Sequence, residues 1–149
     1  MRSSNVERMN VERSTQNGER QRSLFVLLWA SLIVAIVVPW YDWQDHPHWM
    51  NVVWRPFVDP PMRMLDVVLN IALYVPLGFA GIRRTGRTWL VVVLATGLSL
   101  LTELTQVYSH SRIPSLTDVV SNVAGAATGL MLAIALGRGN KSVTSNPGG

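Results

Sequence analysis

Apolar residues gather into four runs separated by polar segments. The first, LFVLLWASLIVAIVV at 24–38, carries no charge and is closed by Pro39 and Trp40. The second runs from about Leu65 to Ile82 around Pro76, the third from about Thr88 to Tyr108, and the fourth from about Leu116 to Leu136. At a rise of about 1.5 Å per residue, the last three can each cross a hydrocarbon core. The first is slightly short, but Ser23 and Trp40 can sit at its two interfaces. In lipid the backbone must satisfy its own hydrogen bonds, and the alternation of a barrel strand is absent. The pattern therefore predicts an all-α polytopic membrane protein with four transmembrane helices. A cleaved signal peptide is the competing reading of the first run. The long leader, the lack of an A-x-A site and the three further runs weigh against it.

Charge then sets an orientation. Ten of the thirteen basic residues fall in the leader (Arg2, Arg8, Arg13, Arg20, Arg22), between runs two and three (Arg83, Arg84, Arg87) and in the tail (Arg138, Lys141). The other two loops carry Arg55 and Arg63 among Asp42, Asp45 and Asp59, and then Arg112 alone. Positive-inside logic predicts both termini in the cytoplasm, with loops 41–64 and 109–115 facing outward. Trp40, Tyr41, Trp43, Trp49, Trp54 and Phe57 then read as an aromatic belt at the outer boundary. Residues 1–22 and 137–149 read as disordered cytoplasmic leader and tail, with the membrane domain over 24–136.

Composition narrows the function classes. Charged residues are 15% of the chain, against about 25% in ordinary soluble domains. Disorder throughout and a nucleic-acid-binding basic domain are both poor fits. The chain has no cysteine, which excludes a disulfide scaffold, a thiolate zinc site and a cysteine nucleophile.

The polar residues within the runs lie at one depth. Asp66 and Asn70 begin run two, Glu103 and Gln106 end run three, and Asp118 and Asn122 begin run four. The spacings i,i+4, i,i+3 and i,i+4 put each pair on one helix face. Small residues continue two of these faces: Gly78 and Gly81 on run two, Gly125 and Gly129 on run four. A GxxxG spacing permits close helix approach. An acid facing lipid costs about 2.5–3.5 kcal/mol even on insertion scales, so three acids at one depth predict a shared, partly hydrated pocket. A short echo, DVVLNIA at 66–72 and DVVSNVA at 118–124, marks the starts of the two out-to-in helices. Helix-start chemistry explains its aspartates, which the dipole favours near an N-terminus, but not the asparagines one turn deeper. Arg112, in the short loop SHSRIPS, is the basic group placed to neutralise the cluster, with His110 beside it.

At these residues the chain resembles the VanZ-like family of bacterial membrane proteins. The matching segments are DVVLNIALYVPLGF at 66–79, ELTQ at 103–106 and SRIPSLTDVVSNVAGAATG at 111–129, within a region spanning roughly 60–135. Tyr74 stands where many members have phenylalanine. Ser115 and Thr117 stand where some members carry further acids. The resemblance implies an integral protein of the bacterial inner membrane acting at the cell envelope. The family is named for an accessory protein that lowers susceptibility to the glycopeptide teicoplanin.

Two functional classes follow from the pocket. In the first, it binds an envelope component: a membrane lipid head group, a lipid-linked glycan or a lipopeptide. Arg112 would meet phosphate or carboxylate, and Asn70, Gln106 and Asn122 would supply oriented hydrogen bonds. In the second, the pocket is catalytic. Glu103 and Asp118, with Asp66 as a further candidate, would divide general-acid and general-base roles. No triad order, phosphate loop or H-E-x-x-H spacing is present, and neither a metal nor a cofactor is expected. A structural reading is the alternative to both: the polar cluster locks the helices through bonds of about 0.6 kcal/mol each. A small exporter would want its acid near mid-membrane, which this depth does not supply.

Overall fold

The computed structural model describes residues 2–57 and 64–143. Among the described residues there are four helices, α1 (Arg2–Val37), α2 (Met64–Thr85), α3 (Thr88–Gln106) and α4 (Leu116–Val143), and a single 3-10 turn at Trp49–Asn51. Each contains a segment long and apolar enough to cross a membrane, and the protein is read as a multi-pass membrane protein. No strand is formed among the described residues; two isolated backbone bridges occur in the loops.

The closest pairing in the bundle is between α2 and α4, and glycine makes it possible. A Cβ at Gly78 would lie 1.9 Å from the Ala126 carbonyl oxygen, one at Gly125 would lie 2.3 Å from that of Ile71, and one at Gly129 would lie 1.9 Å from that of Val75. The two backbones thus touch along three helical turns, with no room for any side chain between them. The third helix, α3, packs beside this pair. Its Ala95 joins Tyr74, Leu77, Ala126 and Ile33 of α1 in the buried core.

The first helix is held to α2 at two levels. Trp29 Nε1 donates to the Leu73 carbonyl at 2.7 Å, next to the Ala72 carbonyl that Pro76 leaves without its helical amide partner. Lower down, Arg22 Nη1 donates to the Arg83 carbonyl at 3.3 Å and Arg84 Nε to Ser23 Oγ at 2.5 Å. The second helix stops at Gly86, whose φ of 64° places it in the left-handed region and whose N–H closes onto the Ile82 carbonyl at 2.8 Å. Arg83 and Arg84 lie in that last turn, where the helix dipole favours cations.

At both ends the helices run further than the apolar runs. The leader, expected to be disordered over 1–22, is helical from Arg2 and continuous with the first span. No proline interrupts it, and propagation from an already nucleated helix costs little. Thr15 and Ser23 hydroxyls bond back to the Val11 and Glu19 carbonyls. In the tail, also expected to be disordered, the backbone of α4 continues to Val143; residues 144–149 lie outside the described residues, as do Asp59 and Arg63 of the first loop.

The loop after α1 is more than an interfacial belt. Its aromatic side chains are exposed as expected, but its backbone is paired with the α3–α4 loop. Gln44 N donates to the Tyr108 carbonyl and His48 N to that of Val107, both at 2.8 Å. Val53 N donates to the Pro114 carbonyl at 2.9 Å, and Leu116 N returns to the Val53 carbonyl at 3.0 Å. Trp43 stacks on Tyr108 with ring centroids 5.2 Å apart. Residues 42–57 therefore form a cap across one end of the bundle, the end that carries Asp66, Glu103 and Asp118.

Candidate functional site: a polar cavity at the acidic end

Beneath this cap lies a cavity of about 700 Å3 between the end of α1, the start of α2, the end of α3 and the start of α4. Asp66, Asn70, Glu103, Gln106, Arg112 and Asp118 all line it. These are six of the seven polar residues that depth and spacing had brought together. Ile36, Val37 and Leu73 supply an apolar wall on the α1–α2 side.

Local chemistry explains how the acids are placed. Ser115 caps α4: its Oγ accepts the Thr117 N–H at 3.1 Å. Asp118 sits in the first turn of that helix, where a carboxylate complements the dipole. It feels the charges of Asp66 and Arg112 and the amide of Asn70. Glu103 is buried, and its carboxylate accepts the Ser115 N–H at 2.8 Å. This bond ties the last turn of α3 to the cap of α4.

Arg112 does not pair with the acids. Among the described residues its guanidinium makes no hydrogen bond or ion pair with Asp66, Glu103 or Asp118, although it shares their cavity. It is exposed, and its loop is fixed by backbone contacts. Its own N–H donates to Ser109 Oγ at 3.1 Å.

Asn122 lies below the cavity rather than in its lining. It is 3% exposed, and its Nδ2 donates to Ser99 Oγ on α3 at 2.9 Å. The same face that carries Asp118 reaches the α3–α4 contact one turn deeper, so Asn122 joins helices. Near it the Asn122 Oδ1, Ser121 Oγ and Tyr74 Oη atoms are buried without hydrogen-bond partners. Gly78, Gly125 and Gly129 all lie at the α2–α4 contact, as the small-residue faces imply.

The residue that sequence reasoning passed over is Asp42. Its Oδ2 accepts the Ser109 hydroxyl at 2.7 Å, the His110 N–H at 2.8 Å and the Ser111 N–H at 2.6 Å. These donors, the Ser109 hydroxyl foremost and then Ser111, hold the carboxyl well below the usual carboxylate range. Asp42 thereby pins the segment that carries Arg112. The SHS triplet at 109–111 offers the donors, but nothing local to Asp42 announces them.

Comparison with known proteins gives a family. A family model described as VanZ/LLP1 matches residues 6–137. The chain therefore belongs to the VanZ/LLP1 family, and the resemblance drawn from the cavity residues holds over nearly its whole length. Comparison with curated proteins and with solved structures gave no match.

Proposed function

We propose that the cavity faces the outside of the bacterial inner membrane, with both termini cytoplasmic, and binds the polar head of an envelope component: a membrane lipid, a lipid-linked glycan or a lipopeptide. The observation that carries this reading is Arg112, which lines the cavity within electrostatic reach of Glu103 and Asp118 but forms an ion pair with neither. An arginine not locked in an ion pair keeps its donors for phosphate or carboxylate. Asp66 and Asp118 line the same space and suit ammonium or sugar hydroxyls, while Asn70 and Gln106 add both donors and acceptors. The apolar wall of Ile36, Val37 and Leu73 would accompany the start of an acyl chain. Asn122 has no part in this reading, because it lies outside the cavity lining and its Nδ2 donates to Ser99.

By this route the protein alters susceptibility to lipid-tailed glycopeptides, as its family membership makes reasonable. The test compares a strain expressing the wild type with strains expressing Arg112→Gln and Glu103→Gln, at membrane abundance matched by blotting. Both variants should lose the susceptibility change. Retention of the full effect by Arg112→Gln would overturn the head-group reading.

The helix-locking alternative is favoured by one pair of observations. The Glu103–Ser115 and Asn122–Ser99 bonds both join α3 to the α4 side. Under that reading Arg112→Gln is silent, and Asn122→Ala lowers abundance.

A further inference from the structure

The chain contains three histidines, and all three lie together. His46, His48 and His110 each present a ring nitrogen such that the three lie within 4.8 Å of one another. Their ring centroids are 4.8 Å apart for His46–His48, 4.3 Å for His48–His110 and 6.2 Å for His46–His110. His46 and His48 belong to the cap, whereas His110 belongs to the α3–α4 loop. The cluster therefore sits across the seam between two segments that are far apart in sequence.

The backbone under two of the rings is held: His48 N–H donates to the Val107 carbonyl and His110 N–H to the Asp42 carboxylate, while His46 follows Gln44, whose N–H donates to the Tyr108 carbonyl. His48 Nδ1 is buried and has no hydrogen-bond partner, and a metal ion would satisfy an acceptor that is otherwise costly to leave unpaired. His46 and His110 are exposed, so the cluster is open to solvent on one side.

We propose that His46, His48 and His110 form a binding site for a divalent transition metal of the zinc class, which clips the cap to the α3–α4 loop. Three imidazoles are the donor set that zinc, copper and nickel favour, and zinc with three protein ligands keeps a fourth position for water. Zinc–nitrogen bonds of about 2.0–2.1 Å put tetrahedral ligand nitrogens about 3.3 Å apart. From within 4.8 Å, small side-chain rotations bring the three nitrogens toward that spacing, with the His48 and His110 backbones already held. Interfacial stacking of the rings does not require their nitrogens to converge; metal ligation does. The site is separate from the head-group cavity: none of its histidines lines that space. Ser111 and Arg112, which do, follow His110 directly.

The test uses the full chain in detergent micelles with any affinity tag removed, so that no other histidine is present. Titration with Co2+ should produce the visible absorption of a low-coordinate nitrogen site, saturating at one ion per chain, and Zn2+ should displace it. His46→Ala, His48→Ala and His110→Ala should each weaken binding by about tenfold or more, and the triple variant should abolish the spectrum. Zn2+ should also raise the unfolding midpoint of the wild type and leave that of a monodisperse His110→Gln variant unmoved. A wild type whose Co2+ spectrum stays that of the aqueous ion, or a triple variant that binds as the wild type does, overturns the proposal.

Discussion

The carboxylate of Glu103 accepts the backbone N–H of Ser115 at 2.8 Å, so one buried side chain on α3 anchors the residue that starts α4. A glutamine keeps an oxygen able to accept that bond and removes only the charge. Glu103→Gln is therefore expected to leave the bundle folded, with membrane abundance unchanged on blotting. Glu103→Ala removes the acceptor and leaves the Ser115 N–H half-buried and unpaired. It should cost about 1–3 kcal/mol, read as a lowered unfolding midpoint in detergent.

The α2–α4 contact makes a sharper stability prediction. Gly129→Ala places a methyl group 1.9 Å from the Val75 carbonyl oxygen, and backbone cannot rotate away as a side chain can. A loss of about 1–3 kcal/mol is expected, again read as the unfolding midpoint. Gly97→Ala is the control on α3: nothing lies within 4 Å of the added group, and since alanine is the better helix former the variant should be at least as stable as the parent.

Asp42 gives a pH signature. Its carboxyl is held below the usual range when folded, so its stabilising effect is fully present above the ordinary carboxylate pKa of about 4. That effect is lost as pH falls from there toward the folded value. The midpoint difference between wild type and Asp42→Asn should be constant above about pH 5 and shrink below about pH 4. A difference that instead grows on acidification would assign the effect to another group.

The orientation is tested by reporter fusions. With the arginine-rich end of the bundle cytoplasmic, fusions at residues 50 and 112 should report outside, and one at 85 inside. The reverse pattern would place the cavity on the cytoplasmic face and remove the envelope reading.

Much of this arrangement was legible because membrane burial is severe on polar groups. Asp66, Glu103 and Asp118 stood out at one depth, and i,i+3 and i,i+4 spacing said which neighbours shared their faces. Gly78, Gly125 and Gly129 were readable for the same reason: in lipid, small residues on one face mark backbone contact. The cap was not legible. Its bonds run from Gln44 and His48 to Tyr108 and Val107, across some sixty residues, and pairing of irregular backbone leaves no periodic trace. Asp42 and the histidine cluster were missed with it, since each is assembled only when that cap is in place. Asn122, grouped with the cavity residues by spacing, lies outside the lining. One helical turn separates a cavity wall from a helix contact, and spacing alone does not mark where the cavity floor lies. The helical leader was missed because polar composition argues about burial, not about propagation from an adjoining helix.

The central claim is that the cavity holds the head of an envelope lipid or lipid-linked molecule, and native mass spectrometry of the protein released from its own membrane tests it most directly. The wild type should retain a lipid-sized adduct at one per chain. Arg112→Gln and Asp118→Asn, equally abundant and monodisperse, should lose it, while Asn122→Ser, altered below the cavity, should keep it. An adduct pattern identical in the wild type and Arg112→Gln, or no retained adduct in the wild type, would contradict the account.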